Sequence, residues 1–228
     1  MNTFTFNGES SLSYGLIVEY IPTEAGGRKI INSIQIPGRT GALTIDTGAF
    51  ENSRKAYSVA FKGDTGRMRR VRQWLALSAG YCRLEDDYDP DVYRKARVIS
   101  VPDFENIMQA YGRGTIEFDC DPRRFLKEGE RAQTGPIVND YMPSKPVVII
   151  NATGAGTVTI GDTLITIKSD PGQTIYVDSE LMEVHNGSTS LASYVSMAEF
   201  PTLKNGTNNV SFTGNVSGVQ VIPNFWQP

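Results

Sequence analysis

Over most of its length the chain is cut into short runs of Val, Ile, Thr, Tyr and Phe by Gly, Asn, Asp and Pro. Such punctuation suits strands joined by turns and leaves little room for long helices. Extended segments are expected at 3–7, 29–36, 55–62, 80–84, 92–101 and 110–119. One segment breaks the pattern: Asp64 is suited to cap a helix over about 65–79, in which Met68, Val71, Trp74, Leu75 and Leu77 recur at helical spacing before Gly80 ends it. The fold class read from this pattern is mainly β with one α-helix.

Composition then separates two parts. Residues 1–143 hold 19 Lys and Arg against 19 Asp and Glu, whereas 144–228 hold 3 against 6 and are rich in Gly, Asn, Ser and Thr. Between them "DPRRFLKEGERAQTG" is polar and irregular, and "YMPSKP" carries two prolines that interrupt sheet hydrogen bonding. The expected organisation is a β domain over 1–135 and a second over 143–228. The second reads as a small antiparallel sandwich, from runs of about five or six residues separated by turns.

Several kinds of chemistry are excluded by spacing. "IPGRTG" places two residues between its glycines and no lysine after them, and extended segments flank it, so it is a turn and no phosphate cradle. The single histidine, His185, adjoins an Asn-Gly turn, and no Gly-X-Ser-X-Gly elbow occurs, which removes the hydrolase triad. Asp87, Asp89 and Asp91 alternate as in a calcium loop. Counting from Asp87, however, puts Val92 at the glycine position and Val98 at the bidentate glutamate, so "LEDDYDPDVY" reads as a solvated hairpin tip. Cys82 and Cys120 lack metal-site spacing and read as two buried reduced thiols. No metal or cofactor is expected, and no enzymatic activity.

A net charge of −3 gives no electrostatic footprint for nucleic acid. The basic run Arg67, Arg69, Arg70 and Arg72 is local and sits on the expected helix, as a solvated or subunit-facing side. No apolar run approaches the roughly 18 residues of a membrane span. With no basic leader before an apolar core, the expectation is a soluble, non-secreted chain in which the Asn-X-Ser/Thr triplets are turn residues.

Seven stretches, taken in order, resemble the distal tail protein family of long-tailed, non-contractile bacteriophages. They are "FTFNGESSLSYGLIV", "IPGRTGALTIDTGAFEN", "RQWLALSAGYCRLEDD", "FDCDPRRFL", "VDSELMEV", "EFPTLKNGTNNVSFTG" and "VIPNFW". The likeness runs over nearly the whole chain. It departs at the end, where Asn224, Phe225 and Trp226 follow Pro223 in place of the family's proline, aromatic and arginine. The resemblance implies a tail-tube-like first domain and a galectin-like β-sandwich as the second. It also implies a homo-hexameric ring at the end of the tail, a hub that joins the tail tube protein to the tip protein and to baseplate or receptor-binding proteins. DNA would pass its bore without specific binding. Localisation would be the virion tail, after assembly in the bacterial host cytoplasm.

Within that ring the candidate interface residues are Pro37, Gly38, Arg39, Thr40, Gly41 and Arg54, through β pairing of the 36–56 segment, with Arg67 and Arg70 reaching carboxylates from the helix. A second reading stays open. The second domain could be a carbohydrate-binding module with Trp226, Tyr176 or Tyr194 as stacking platforms, although no arginine follows Arg131 to anchor a sugar.

Overall fold

A computed structural model of the chain describes residues 2–23, 26–62, 65–99, 104–108 and 111–228. It divides into two units, Met1–Arg124 with Pro228, and Phe125–Gln227.

The first unit is built from β1 (Phe4–Phe6), β2 (Glu9–Ser10), β3 (Leu16–Val18), β4 (Lys29–Gln35), β5 (Ala42–Phe50), β6 (Ser53–Lys62), helix α1 (Thr65–Leu77), β7 (Cys82–Asp86), β8 (Asp89–Val98), β9 (Phe104–Met108) and β10 (Tyr111–Leu126). Its main sheet runs in the order β2-β1-β7-β8-β10-β6-β3, with β9 also pairing β10. Phe4 of β1 stacks on Tyr57 of β6 at 4.6 Å although three strands separate them in that order, so the sheet curls around a core. Phe6, Leu16, Val59, Phe61, Leu84, Ile116 and Phe118 fill it, each contributing roughly 1.5–3 kcal/mol by leaving water.

Helix α1 covers this core with Met68, Val71, Trp74 and Leu75. Leu77, expected on the same stripe, is 73% exposed. Nine residues separate it from Met68, and at about 3.6 residues per turn that places it on the opposite side of the helix. The expected cap, Asp64, lies outside the described residues, as do the ends of two expected strands at 100–101 and 110.

The second unit contains β11 (Ile137–Asn139), β12 (Val147–Ile160), β13 (Thr163–Ile167), β14 (Ile175–Asp178), β15 (Glu183–His185), β16 (Val195–Met197), β17 (Gly206–Asn208) and β18 (Val210–Ile222). Strands β15-β14-β12-β13-β16 form one sheet, with β18 running along β12, and β11 pairs with β17 in another. Alternate residues of β12 turn inward, with Val148, Ile150, Val158 and Ile160 meeting Ile165, Ile175, Val177, Val219 and Val221.

The chain divides at Arg124, and the polar tract beyond it is built into the second unit. The buried Asn139 amide donates to the carbonyls of Met142 and Leu203, each at 3.1 Å, and accepts from the Tyr141 N–H at 3.0 Å. Ser144 Oγ donates to the Pro223 carbonyl at 2.7 Å. Side chains here satisfy backbone groups that a regular ladder would otherwise pair.

Both cysteines are free thiols, with Cys120 buried and Cys82 half-buried. Burial pushes the Cys120 thiol up to about 11, so its thiolate is scarce near neutral pH. At mildly alkaline pH a thiol reagent is expected to label Cys82 of the folded chain and to reach Cys120 only after unfolding. Equal labelling rates for the two in native protein would contradict this packing.

Candidate subunit-interface site

Strands β4 and β5 leave the main sheet and pair only with each other among the described residues. Their register sets Gln35 opposite Ala42, Ile34 opposite Leu43, Ser33 opposite Thr44 and Asn32 opposite Ile45. Because side chains alternate across a strand, Ile34, Leu43 and Ile45 fall on one face with Asn32, and Ile36 extends it, while Ile31, Ser33, Gln35, Thr44 and Asp46 fall on the other. The hairpin is therefore amphipathic. Its apolar face is nonetheless open, with Ile34 49%, Ile45 46% and Leu43 39% exposed.

The hairpin is held by local bonds. Lys29 Nζ lies 3.1 Å from Asp46 Oδ2, and Thr47 Oγ1 donates to the Ile30 carbonyl at 2.8 Å. The Gly48 N–H, and then Lys29, hold the Asp46 carboxyl below its ordinary value. At the tip Arg39 N–H donates to the Ile36 carbonyl at 3.1 Å, and Gly38 and Gly41 take φ of 82° and 85°, which a side chain would strain.

The residues proposed from sequence fall in three places. Pro37, Gly38, Arg39, Thr40 and Gly41 form the exposed hairpin tip. Arg54 is exposed on β6 opposite Asp119, beside a polar cleft lined also by Arg97, Val98 and Ile99. Asp119 there accepts from Arg97 Nε at 2.8 Å, from Tyr81 at 3.1 Å and from Asn52 at 3.2 Å, and these bonds keep it ionised against the opposing effect of burial. On α1, Arg67 turns to its own chain and donates to the Lys62 carbonyl at 3.0 Å. Arg70 lies beside a cleft with Glu9, Tyr14, Trp74 and Leu77. Tyr14 stacks on Trp74 at 4.4 Å, and burial, reinforced by its hydrogen bond to Glu9, raises its hydroxyl to about 12.

Sequence reasoning missed two groups. One is the apolar hairpin face, whose signal was the Ile34, Ile36, Leu43, Ile45 alternation on either side of the Pro-Gly turn. The other is the buried pair Lys55–Asp86, and here the expectation of a wholly solvated acidic tip needs correction. The β7–β8 turn does lie at Asp87 and Tyr88, but the carboxylate before it points into the core, since Asp86 shares the inward parity of Leu84.

The aromatic platforms considered for sugar are engaged elsewhere. Tyr176 stacks on His185 with centroids 5.7 Å apart, Tyr194 packs against the core of its unit, and Trp226 Nε1 donates to the Pro143 carbonyl at 2.9 Å. His185 Nδ1 accepts the Gly187 N–H at 2.8 Å. No helix among the described residues is long and apolar enough to cross a membrane.

No protein-family model matches the chain, and no curated protein matches it in sequence. Its fold does have a solved counterpart. The crystal structure of Dit (gp 19.1) from phage SPP1, described as a paradigm of the hub adsorption apparatus in phages infecting Gram-positive bacteria, superposes with a TM-score of 0.75. The match covers 100% of this chain and 98% of that one at 12% identity. The chain has the Dit fold. Two β units with one α-helix, reached at so low an identity, explain why the resemblance rests on the order of short stretches and on no single motif.

Proposed function

We propose that the chain is a structural subunit of a phage-type tail, six copies of which close into a hub ring joining the tail tube to the tip. The observation that carries this is the β4–β5 hairpin, whose apolar face has no cover within the described residues of its own unit. An isolated two-stranded hairpin is marginal in water, and an open row of Ile and Leu is the signature of a surface that another chain covers. The Dit fold supports a tail role for that partner surface. Each copy presents one hairpin and one acceptor, so contacts run head to tail and generate a ring when the rotation closes.

In this reading the first unit is the tail-tube-like ring former and the second a galectin-like β-sandwich. The partners are the tail tube protein, the tip protein and receptor-binding or baseplate proteins, in a virion tail assembled in the host cytoplasm. The near balance of acidic and basic residues over 1–143 leaves no net positive wall to grip DNA in the bore. The role is structural, and no substrate is turned over.

Native mass spectrometry over a concentration series tests the ring. A species of six chains is expected, alone or once a tube or tip protein is added, and Arg39→Glu with Arg54→Glu is expected to weaken it while the monomer stays folded. A chain that stays monomeric at high concentration, with no tube or tip partner able to drive it into a ring, would falsify the reading.

A further inference from the structure

Lys55 of β6 and Asp86 of β7 meet inside the first unit although β8 and β10 lie between their strands in the sheet. Their side chains are 3% and 9% exposed, and Nζ stands 2.5 Å from Oδ2. The other carboxyl oxygen, Oδ1, accepts the Tyr57 hydroxyl at 2.5 Å. The rings of Tyr57 and Tyr88 lie against the amine, with centroids 5.6 and 5.3 Å from Nζ.

Burial opposes the Lys55 charge, but the Asp86 carboxylate and the hydrogen bond to it outweigh burial and hold the amine above its ordinary value, so the ion pair is the resting form and the neutral pair, amine and carboxylic acid, is the reactive minority. Moving one proton from Nζ to Oδ2 converts one into the other. Core packing then holds an amine nitrogen beside a carboxyl carbon in a dry site, the arrangement in which an intramolecular reaction gains most from proximity.

We propose that Lys55 and Asp86 condense to an amide that joins β6 to β7. The nitrogen lone pair attacks Cγ, and negative charge develops on Oδ1. The Cγ–Oδ2 bond then breaks, and Oδ2 departs with its proton and one from the nitrogen as water. Nothing is oxidised or reduced, and no co-reactant enters. Tyr57 is the catalytic residue, because its hydroxyl already donates to the oxygen that takes up the charge. Burial raises its pKa well above the ordinary value, so it remains a donor throughout. The departing water escapes to bulk, and the closed core protects the amide from hydrolysis.

Denaturing mass spectrometry of the intact purified chain, followed by tryptic mapping, tests this. The expected result is a chain one water lighter than its sequence and a branched peptide uniting the Lys55 and Asp86 segments. Lys55→Met and Asp86→Ala abolish both. In Tyr57→Phe the amide accumulates about a hundredfold more slowly, as on removal of one oxyanion donor. The unmodified chain decides the matter even where a variant fails to fold. Folded, aged protein at its full sequence mass shows an ordinary buried ion pair and overturns the proposal, as does a water loss that maps to any other residues.

Discussion

Replacing Ile34 and Leu43 together by aspartate is expected to abolish assembly while leaving the unfolding transition of the monomer almost unmoved. The two residues face each other across the hairpin on its open side. In the free chain both are exposed, Ile34 49% and Leu43 39%, and exposed positions of that kind usually tolerate substitution within about 0.5 kcal/mol. In an interface both would be buried. Losing even half of the roughly 1.5–3 kcal/mol that each large apolar side chain gains, and adding two carboxylates that must be desolvated, weakens the contact by at least about two decades. Light scattering at matched concentrations, beside thermal unfolding of the same samples, separates the two effects. Intact rings in the double variant would show that the hairpin face is not the contact. A large loss of monomer stability would show that the hairpin belongs to the core of its own chain.

The second large effect concerns Trp74, which ties α1 to the sheet. It stacks on Tyr14, lies 6.1 Å from the Phe4 ring and 6.2 Å from Phe6, and is buried. Trp74→Ala is expected to cost about 3–5 kcal/mol, with up to about 1.5 more from the lost ring pairs, a large share of a typical domain's stability. Trp74→Phe is expected to cost far less. The indole N–H is buried without a hydrogen-bond partner among the described residues, so its removal forfeits no bond seen there and relieves a desolvated donor. Denaturant titration of both variants tests this, and equal losses would mean that the N–H contributes more than its surroundings indicate.

What could be read in advance follows a physical divide. Strands and helix were legible because local periodicity sets them. Met68, Val71 and Leu75 mark one helical stripe, the run at 55–62 became β6, and the run at 110–119 became β10, which continues seven residues further, to Leu126. The ownership of a buried surface was not legible. The alternation Ile34, Ile36, Leu43, Ile45 reads the same whether its cover comes from the same chain or from another. Asp86 was hidden by its neighbours: four acidic residues nearby suggest solvent, and only strand parity with Leu84 places it inside. The tract after Arg124 read as a domain boundary because its polar residues, Asn139 and Ser144 among them, serve as backbone partners, and polar composition alone does not distinguish that use from a loop. Of the candidate interface residues, the hairpin tip lies beside the apolar face, whereas Arg67 is spent on its own chain.

The uneven distribution of charge gives the two units different sensitivities to ionic strength. The first unit carries ion pairs such as Arg97–Asp119 at 2.8 Å, Arg113–Glu19 at 2.7 Å and Arg123–Asp121 at 2.9 Å. Dissolved salt screens exposed charges, most strongly beyond a Debye length of about 8–10 Å, so it removes the longer-range attractions around these pairs and weakens the pairs themselves less. The second unit carries fewer, Lys204–Asp162 at 2.7 Å and Lys145–Glu180 at 3.8 Å, and leans more on neutral bonds, among them Thr157 to Thr213 at 2.7 Å, Thr174 to Asn151 at 2.9 Å and Ser217 to the Asn151 carbonyl at 3.1 Å. Mobile ions do not screen the neutral bonds, so passage from dilute water to brine disturbs that half of the molecule less.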